Sequence, residues 1–215
     1  MNNLVVRRFA TVVGTFLLLS CGVFAQDKMI VTAENAATNA FNVGDKLPEF
    51  ALKDSSGKVV TSTELLKGGN VVLAFYRGSW CPFCNTYLRK LQLRVADIKA
   101  AGGTLVAVSA ENPDASMAIA KKNELNYTVL SDPDLVVAKK LGIVYQLPAA
   151  TDEKYRSMGL DVAKHNAIPL PELPLAVTYV INKKGKITYA FIDTDFKNRA
   201  DPDAIIDHLK QIAKP

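Results

Sequence analysis

From Val71 to Tyr76 every residue is apolar, Val-Val-Leu-Ala-Phe-Tyr. A run of that length, with β-branched and aromatic members, fits a strand covered on both faces and so belongs at the centre of a sheet. After a polar turn the period changes: Cys84, Leu88, Leu91, Val95 and Ile98 recur at spacings of four and three, the stripe of a helix packed on a core. Gly102-Gly103 ends that helix, and Thr104 to Ser109 forms a second apolar run. Strand, helix and strand in this order imply a parallel pair with a right-handed crossover, and therefore an α/β fold.

The flanks are more broken. Gly44 to Leu52 reads as extended, Asp54-Ser55-Ser56-Gly57-Lys58 as a turn into Val59-Val60, and the two together as a hairpin ahead of the central strand. Ser62 to Leu66 carries a cap and a helical turn, closed by Gly68-Gly69. Asn112-Pro113-Asp114 and Asp132-Pro133-Asp134 each place a capping side chain before a first-turn proline and an acid, so a helix is expected to start at each, with a short strand, Tyr127 to Leu130, between them. The second of these helices should stop at Gly142. Residues 143–174 read as an insertion over the fold, one helix over Thr151 to Met158 in an otherwise proline-bearing loop. Val177 to Ile181 and Lys186 to Ile192 form a hairpin across Asn182 to Gly185, and Ile205, Leu209 and Ile212 mark a last amphipathic helix.

The N-terminus changes the picture of where this chain works. Arg7 and Arg8 precede an apolar stretch, Phe9 to Leu19, and then small residues, the three-part pattern of a secretory leader. Two processing readings stand: cleavage after Val23-Phe24-Ala25, or a lipoprotein box, Leu18-Leu19-Ser20-Cys21, that would leave Cys21 acylated and the chain anchored to a membrane. The domain organisation expected is a leader over residues 1–25, a tether over 26–42 and one domain over 43–215, with export to the periplasm or cell envelope. Removing the leader lowers the net charge from +5 to about +3, because 26 Lys and Arg become 24 against 21 Asp and Glu. So mild a balance, with its lysines scattered in pairs, argues against nucleic acid as a partner.

Cys21 leaves the redox chemistry in either reading, so Cys81 and Cys84 are the sulfurs that remain. A structural disulfide across two residues closes too small a loop to stabilise much. Zinc wants four ligands, and His165 and His208 make a poor complement, so no metal or other cofactor is expected. Both histidines read as surface or packing residues. A redox-active dithiol fits better. Cys81 sits just before a helix, where free N–H groups and the dipole stabilise a thiolate, and Pro82 suits the first helical position. Cys84, one turn on, heads the buried stripe. Cys81 is therefore expected to be the exposed attacker and Cys84 the shielded partner, with Arg77 adding positive field and Trp80 shaping the surroundings of the sulfur.

With these residues in hand, the chain resembles the peroxiredoxin branch of the thioredoxin superfamily, the AhpC/TSA-type peroxiredoxin-like proteins with a W-C-P-x-C turn. The resemblance runs from about Phe41 to the C-terminus. It rests on Gly44 to Phe50, the Asp54 to Lys58 turn, Phe75-Tyr76, Val108-Ser109-Ala110-Glu111, Leu130-Ser131-Asp132 and Thr178 to Asn182. It implies a thioredoxin-like fold, a central mixed β-sheet flanked by helices with an N-terminal β-hairpin extension. It also implies a peroxide or disulfide substrate and a thioredoxin-like thiol as electron donor.

The site departs from the family pattern. An ungapped match to P-x-x-x-T-x-x-C puts Arg77 at the proline, Cys81 at the threonine and Cys84 at the peroxidatic cysteine. The family's distal arginine falls on Ala176, the thioredoxin cis-proline has only Pro174 nearby, and the thioredoxin buried acid is Phe75. Two reactions follow from the resemblance: a thiol peroxidase passing through a sulfenic acid to a Cys81–Cys84 disulfide, or a disulfide oxidoreductase in which Cys81 attacks and Cys84 resolves. Capping points to Cys81 as attacker, the family alignment to Cys84.

Overall fold

The computed structural model describes residues 30–214. The leader over residues 1–25, Cys21 and the start of the tether lie outside the described residues. The strands, in chain order, are β1 (Ala51–Asp54), β2 (Val59–Thr61), β3 (Asn70–Phe75), β4 (Gly103–Ser109), β5 (Thr128–Ser131), β6 (Val144–Gln146), β7 (Glu172–Pro174), β8 (Thr178–Ile181) and β9 (Ile187–Phe191). All but β6 and β7 form one sheet of order β2-β1-β5-β4-β3-β8-β9. β3, β4 and β5 run parallel, while β1 joins β5, and β8 joins β3, antiparallel. This is the thioredoxin-like mixed sheet, with the β1–β2 hairpin at one edge.

β3 shows why its run had to be apolar throughout. Val71, Leu73 and Phe75 enter the main core on one face, and Val72 and Ala74 enter a second core on the other. Helices cover both faces: α1 (Ala33–Asn39), α2 (Ser62–Lys67), α3 (Pro82–Leu93), α4 (Val95–Ala100), α5 (Pro113–Lys122), α6 (Val136–Lys140), α7 (Ala149–Ser157), α8 (Val162–Asn166) and α9 (Pro202–Ile212). The stripe holds, since Cys84, Leu88, Leu91 and Ile98 are fully buried. It is divided, however, because Arg94 leaves helical geometry and ion-pairs with Asp97 and with Asp203 at the head of α9, splitting the expected single helix into α3 and α4.

Three expectations are corrected. Residues 33–39 of the supposed tether form α1, capped by Thr32, with Ala36 buried in the main core. Gly142 explains how α1 docks: its φ is +71°, and a Cβ there would stand 2.4 Å from the carbonyl oxygen of Asn39. Asn112 caps α5 as expected, but Asp132 does not start a helix at once. Pro133–Leu135 is a 3₁₀ turn with Asp134 and Leu135 at positive φ, and the Asp132 carboxylate instead accepts from the N–H groups of Val137 and Ala138 at the head of α6.

Residues 143–174, finally, are part of the fold rather than a loop laid over it. β6 and β7 pair antiparallel, and Tyr145, Leu147, Val162, Ile168 and Leu173 are buried in the main core. Their apolar positions were too widely spaced, and too interrupted by proline, to show a period.

Candidate functional site

β3 delivers the chain to Tyr76 and Arg77, and a turn over Gly78-Ser79-Trp80 sets Cys81 at the N-cap of α3. The turn is tight because the Trp80 indole lies on the Gly78 backbone: a Cβ at Gly78 would meet Trp80 Nε1 at 2.2 Å. Pro82 opens the helix where its missing N–H costs nothing. Asn85 locks the arrangement from inside α3, its amide donating to the carbonyls of Ser79 (2.7 Å) and Cys81 (2.9 Å). Asn85 in turn accepts from Asn123, which accepts from Arg89.

A second anchor comes from beyond β4. The Glu111 carboxylate, fully buried, accepts from the Ser79 N–H at 2.7 Å, from the Ser79 hydroxyl at 2.7 Å, and contacts His165 Nε2 at 2.6 Å. His165, expected as a surface or packing residue, is thus a partly exposed partner of the active turn. His208 does sit against packing neighbours, Thr188 and Tyr189.

Cys81 and Cys84 are both free thiols, and both are buried, at 1% and 0% exposure. The exposed attacker is therefore a correction. The segment between β9 and α9 folds over the head of α3 and brings Phe196 onto the apolar cluster that holds both sulfurs, with Trp80 packed alongside. Phe196 stands edge-on to Phe83, ring centroids 5.7 Å apart.

Arg77 lies in an aromatic cage. Its guanidinium is 3.9 Å from the ring centre of Phe196, 4.9 Å from Trp80 and 5.5 Å from Tyr155, and it donates to the Tyr155 hydroxyl at 2.8 Å. Tyr155 belongs to α7, so residues 143–174 supply part of the site. A second cation arrives from the covering segment: Arg199 Nη2 is 3.2 Å from Cys84 Sγ. No ion pair joins Arg77 or Arg199 to a carboxylate among the described residues.

These surroundings drive the sulfurs apart. Cys81 is lowered to about 6, chiefly by a hydrogen bond from the Cys84 thiol, against the opposing cost of burial, and then by the Cys84 N–H and the Arg77 and Arg199 charges. No full capping bond forms at its sulfur, which draws instead on the partial positive charge of the Cys84 N–H at the head of α3. Burial pushes the Cys84 thiol well up, its hydrogen bond to Cys81 adds to this, and Arg199 opposes it. A thiolate beside a thiol can attack an electrophile, and the thiol one turn on can close a disulfide behind it.

Arg77, Trp80, Pro82, Cys81 and Cys84 thus come together as the motif suggests. Glu111, Tyr155, His165, Phe196 and Arg199 were missed. Glu111 lies in the Val108-Ser109-Ala110-Glu111 motif, where the sequence shows no role for it; the others come from segments with no motif. The family's arginine position, Ala176, is buried and apolar, and no peptide bond among the described residues is cis.

Comparison with known proteins agrees with this architecture. The sequence profile of the AhpC/TSA family matches residues 43–190. The chain is similar to peroxiredoxin Bcp of Escherichia coli strain K12, 27% identical over 175 residues, covering 81% of this chain and 99% of that protein. It is similar also to the chloroplastic peroxiredoxin Q of Populus jackii, 27% identical over 181 residues, covering 84% and 72% respectively. Among solved structures, peroxidoxin BcpB from Mycobacterium tuberculosis superposes with a TM-score of 0.63 at 20% identity, over 80% of this chain and 98% of that one. With the profile spanning more than half of its length and the fold in accord, the chain belongs to the AhpC/TSA family, a peroxiredoxin-like member of the thioredoxin superfamily.

Proposed function

We infer that the chain is a thiol-dependent peroxidase in which Cys81 attacks the oxidant and Cys84 resolves. The observation that carries this reading is the buried pair of free thiols at the head of α3, whose surroundings lower Cys81 and raise Cys84, in a peroxiredoxin-like fold. The Cys81 thiolate attacks one oxygen of a hydroperoxide: an S–O bond forms, the O–O bond breaks, and the leaving alkoxide or hydroxide takes a proton. Cys84, deprotonated, then attacks the Cys81 sulfenic sulfur, expelling hydroxide, which leaves as water. One peroxide and two thiols give a disulfide, an alcohol or water, and water. A thioredoxin-like thiol donor returns the pair to the dithiol.

Burial favours this over disulfide exchange with protein substrates. The reduced form is the one that meets the oxidant, and a small peroxide can pass where a protein disulfide cannot reach a sulfur that is 1% exposed. The test is single-turnover oxidation of Cys81→Ser and Cys84→Ser proteins by hydrogen peroxide, beside an insulin-reduction assay. Sulfenic acid on Cys81 in the Cys84→Ser protein, with little insulin reduction, is the expected result; sulfenic acid only in the Cys81→Ser protein reverses the roles.

Export to the cell envelope belongs to the same proposal, supported by Arg7, Arg8 and the apolar stretch after them. The mass of the mature N-terminus distinguishes cleavage after Ala25 from lipidation of Cys21.

A further inference from the structure

Cys84 faces a chemical obstacle to acting as the resolving sulfur. A resolving sulfur must be an anion to attack, yet Cys84 is fully buried among Tyr76, Leu88, Ala107, Ile119 and Val129, where an anion is costly. Arg199 occupies the place that removes this obstacle. Its Nη2 is 3.2 Å from Cys84 Sγ, while Nε donates to the Phe196 carbonyl at 2.8 Å and Nη1 to the Phe75 carbonyl at 3.3 Å. The guanidinium also lies 5.3 Å from the centre of the Tyr87 ring. Two neutral carbonyls fix its orientation and leave its charge uncompensated, with one donor aimed at the sulfur.

We propose that Arg199 is a catalytic residue of the second chemical step, stabilising the Cys84 thiolate that attacks oxidised Cys81. The inference rests on the reading in which Cys81 is oxidised first. Neither the family profile, which ends at residue 190, nor the resemblance, whose arginine position is Ala176, assigns a role to Arg199.

The timing follows from what surrounds Cys84. The titratable and charged groups facing it are Cys81 of the active turn, Arg199 of the covering segment, and Tyr76 and Tyr145, both of which burial keeps as neutral phenols; Arg77 acts on it through its backbone N–H. While Cys81 is a thiolate, Cys84 donates its hydrogen to it and remains protonated. When Cys81 gains an oxygen and loses its charge, the anion that held the proton on Cys84 disappears, and the guanidinium remains. Cys84 can then give up its proton, its electron pair forms the S–S bond as the S–O bond of the Cys81 sulfenic acid breaks, and the departing hydroxide takes up a proton to leave as water. The same guanidinium thus faces a thiol before oxidation and a thiolate after it.

The test is a quenched single turnover of the reduced full chain with hydrogen peroxide, sulfenic acid trapped with dimedone and free thiols with iodoacetamide, both read by intact mass. In Arg199→Gln, Cys81 sulfenic acid accumulates and disulfide formation slows by at least about tenfold, the effect of one unit on the acidity of Cys84. The slowed step recovers as pH rises, and Arg199→Lys, which keeps a cation, lies between. Disulfide formation at the unsubstituted rate overturns the proposal, as does slowing of the peroxide step alone. Equal slowing of both steps with no movement in pH profile also overturns it, leaving Arg199 as a support for the covering segment. The Cys84→Ser protein separates this failure from failure of the parent reading: sulfenic acid on Cys81 there keeps Cys81 as attacker whatever Arg199 does, and its absence removes both.

Discussion

His165 and Glu111 face each other at 2.6 Å beneath the active turn, although one comes from α8 and the other from the loop after β4. Glu111 spends its remaining acceptor capacity on both donors of Ser79, two residues before Cys81. The position of the Cys81 sulfur is thus set by a carboxylate and, behind it, by a histidine from a segment whose sequence shows no period.

Glu111→Ala should therefore act on the turn and not only on overall stability. It leaves the Ser79 N–H without its acceptor, a loss of about 1–3 kcal/mol for a buried donor. We expect a lower urea midpoint with an unchanged slope, together with slower oxidation of Cys81 by peroxide. His165→Ala removes only one of three contacts to Glu111 from a side chain that is 35% exposed, so its effect on both should be smaller. Equal stability loss in the two proteins, or full peroxide reactivity in Glu111→Ala, would contradict this arrangement.

The opposed ionisation of the sulfurs predicts a pH profile. With Cys81 lowered to about 6, its reaction with peroxide should rise through pH 6 and level off above 7. Cys84→Ala removes the largest cause of the lowering, the thiol hydrogen bond, so the midpoint should move up. For stability the sign is that of a depressed acid: the contribution is fully present above the unfolded cysteine value, about 8.5, and is lost as pH falls through about 6. Ultraviolet thiolate absorbance against pH measures the midpoint directly; the same midpoint with and without Cys84 would refute the coupling.

Legibility in the sequence followed the range of the interaction concerned. β3, α3 and the Cys81-Pro82 cap were readable because their causes are local: a continuous apolar run, a four-and-three stripe, a proline at the first helical position. Arg77, Trp80 and Cys84 came with them. Arg199 is 115 residues from Cys84 in the chain, and Tyr155 is 78 from Arg77. Long-range polar contacts of that kind leave no periodic trace in one sequence. The exposed attacker failed for the same reason, since Phe196 packs on the cluster that holds Cys81 from a segment read only as the connection between a hairpin and a helix. The split at Arg94 and the late start of α6 failed at element boundaries, where side-chain partners such as Asp203 and the Asp132 carboxylate decide.

Docking of α1 makes a prediction about Gly142. Its φ of +71° strains any side chain, and a Cβ would press on the Asn39 carbonyl at the end of α1. Gly142→Ala should cost at least about 1 kcal/mol. The loss should be felt at α1 first, as faster amide exchange at Ala36 and Ala37, while the dithiol titrates unchanged. Exchange spread evenly over the protein would mean that α1 is not a separable layer.

Access to the sulfurs supplies the last prediction. Phe196 packs on the cluster around Cys81 and Cys84, stacks on the Arg77 guanidinium at 3.9 Å and meets Phe83 edge-on. Its removal opens the head of α3 without touching either sulfur, and a half-buried aromatic of this kind contributes about 1–2 kcal/mol through apolar area. In the reduced Phe196→Ala protein, a bulky maleimide should label Cys81 several-fold faster, because reagent size is what the covering ring discriminates. Hydrogen peroxide, small enough to pass the ring, should gain much less. The ratio of the two rates is the decisive measurement: an unchanged ratio would mean that Phe196 does not gate the site, whereas a rise in the maleimide rate alone would establish that the reduced dithiol is screened by size.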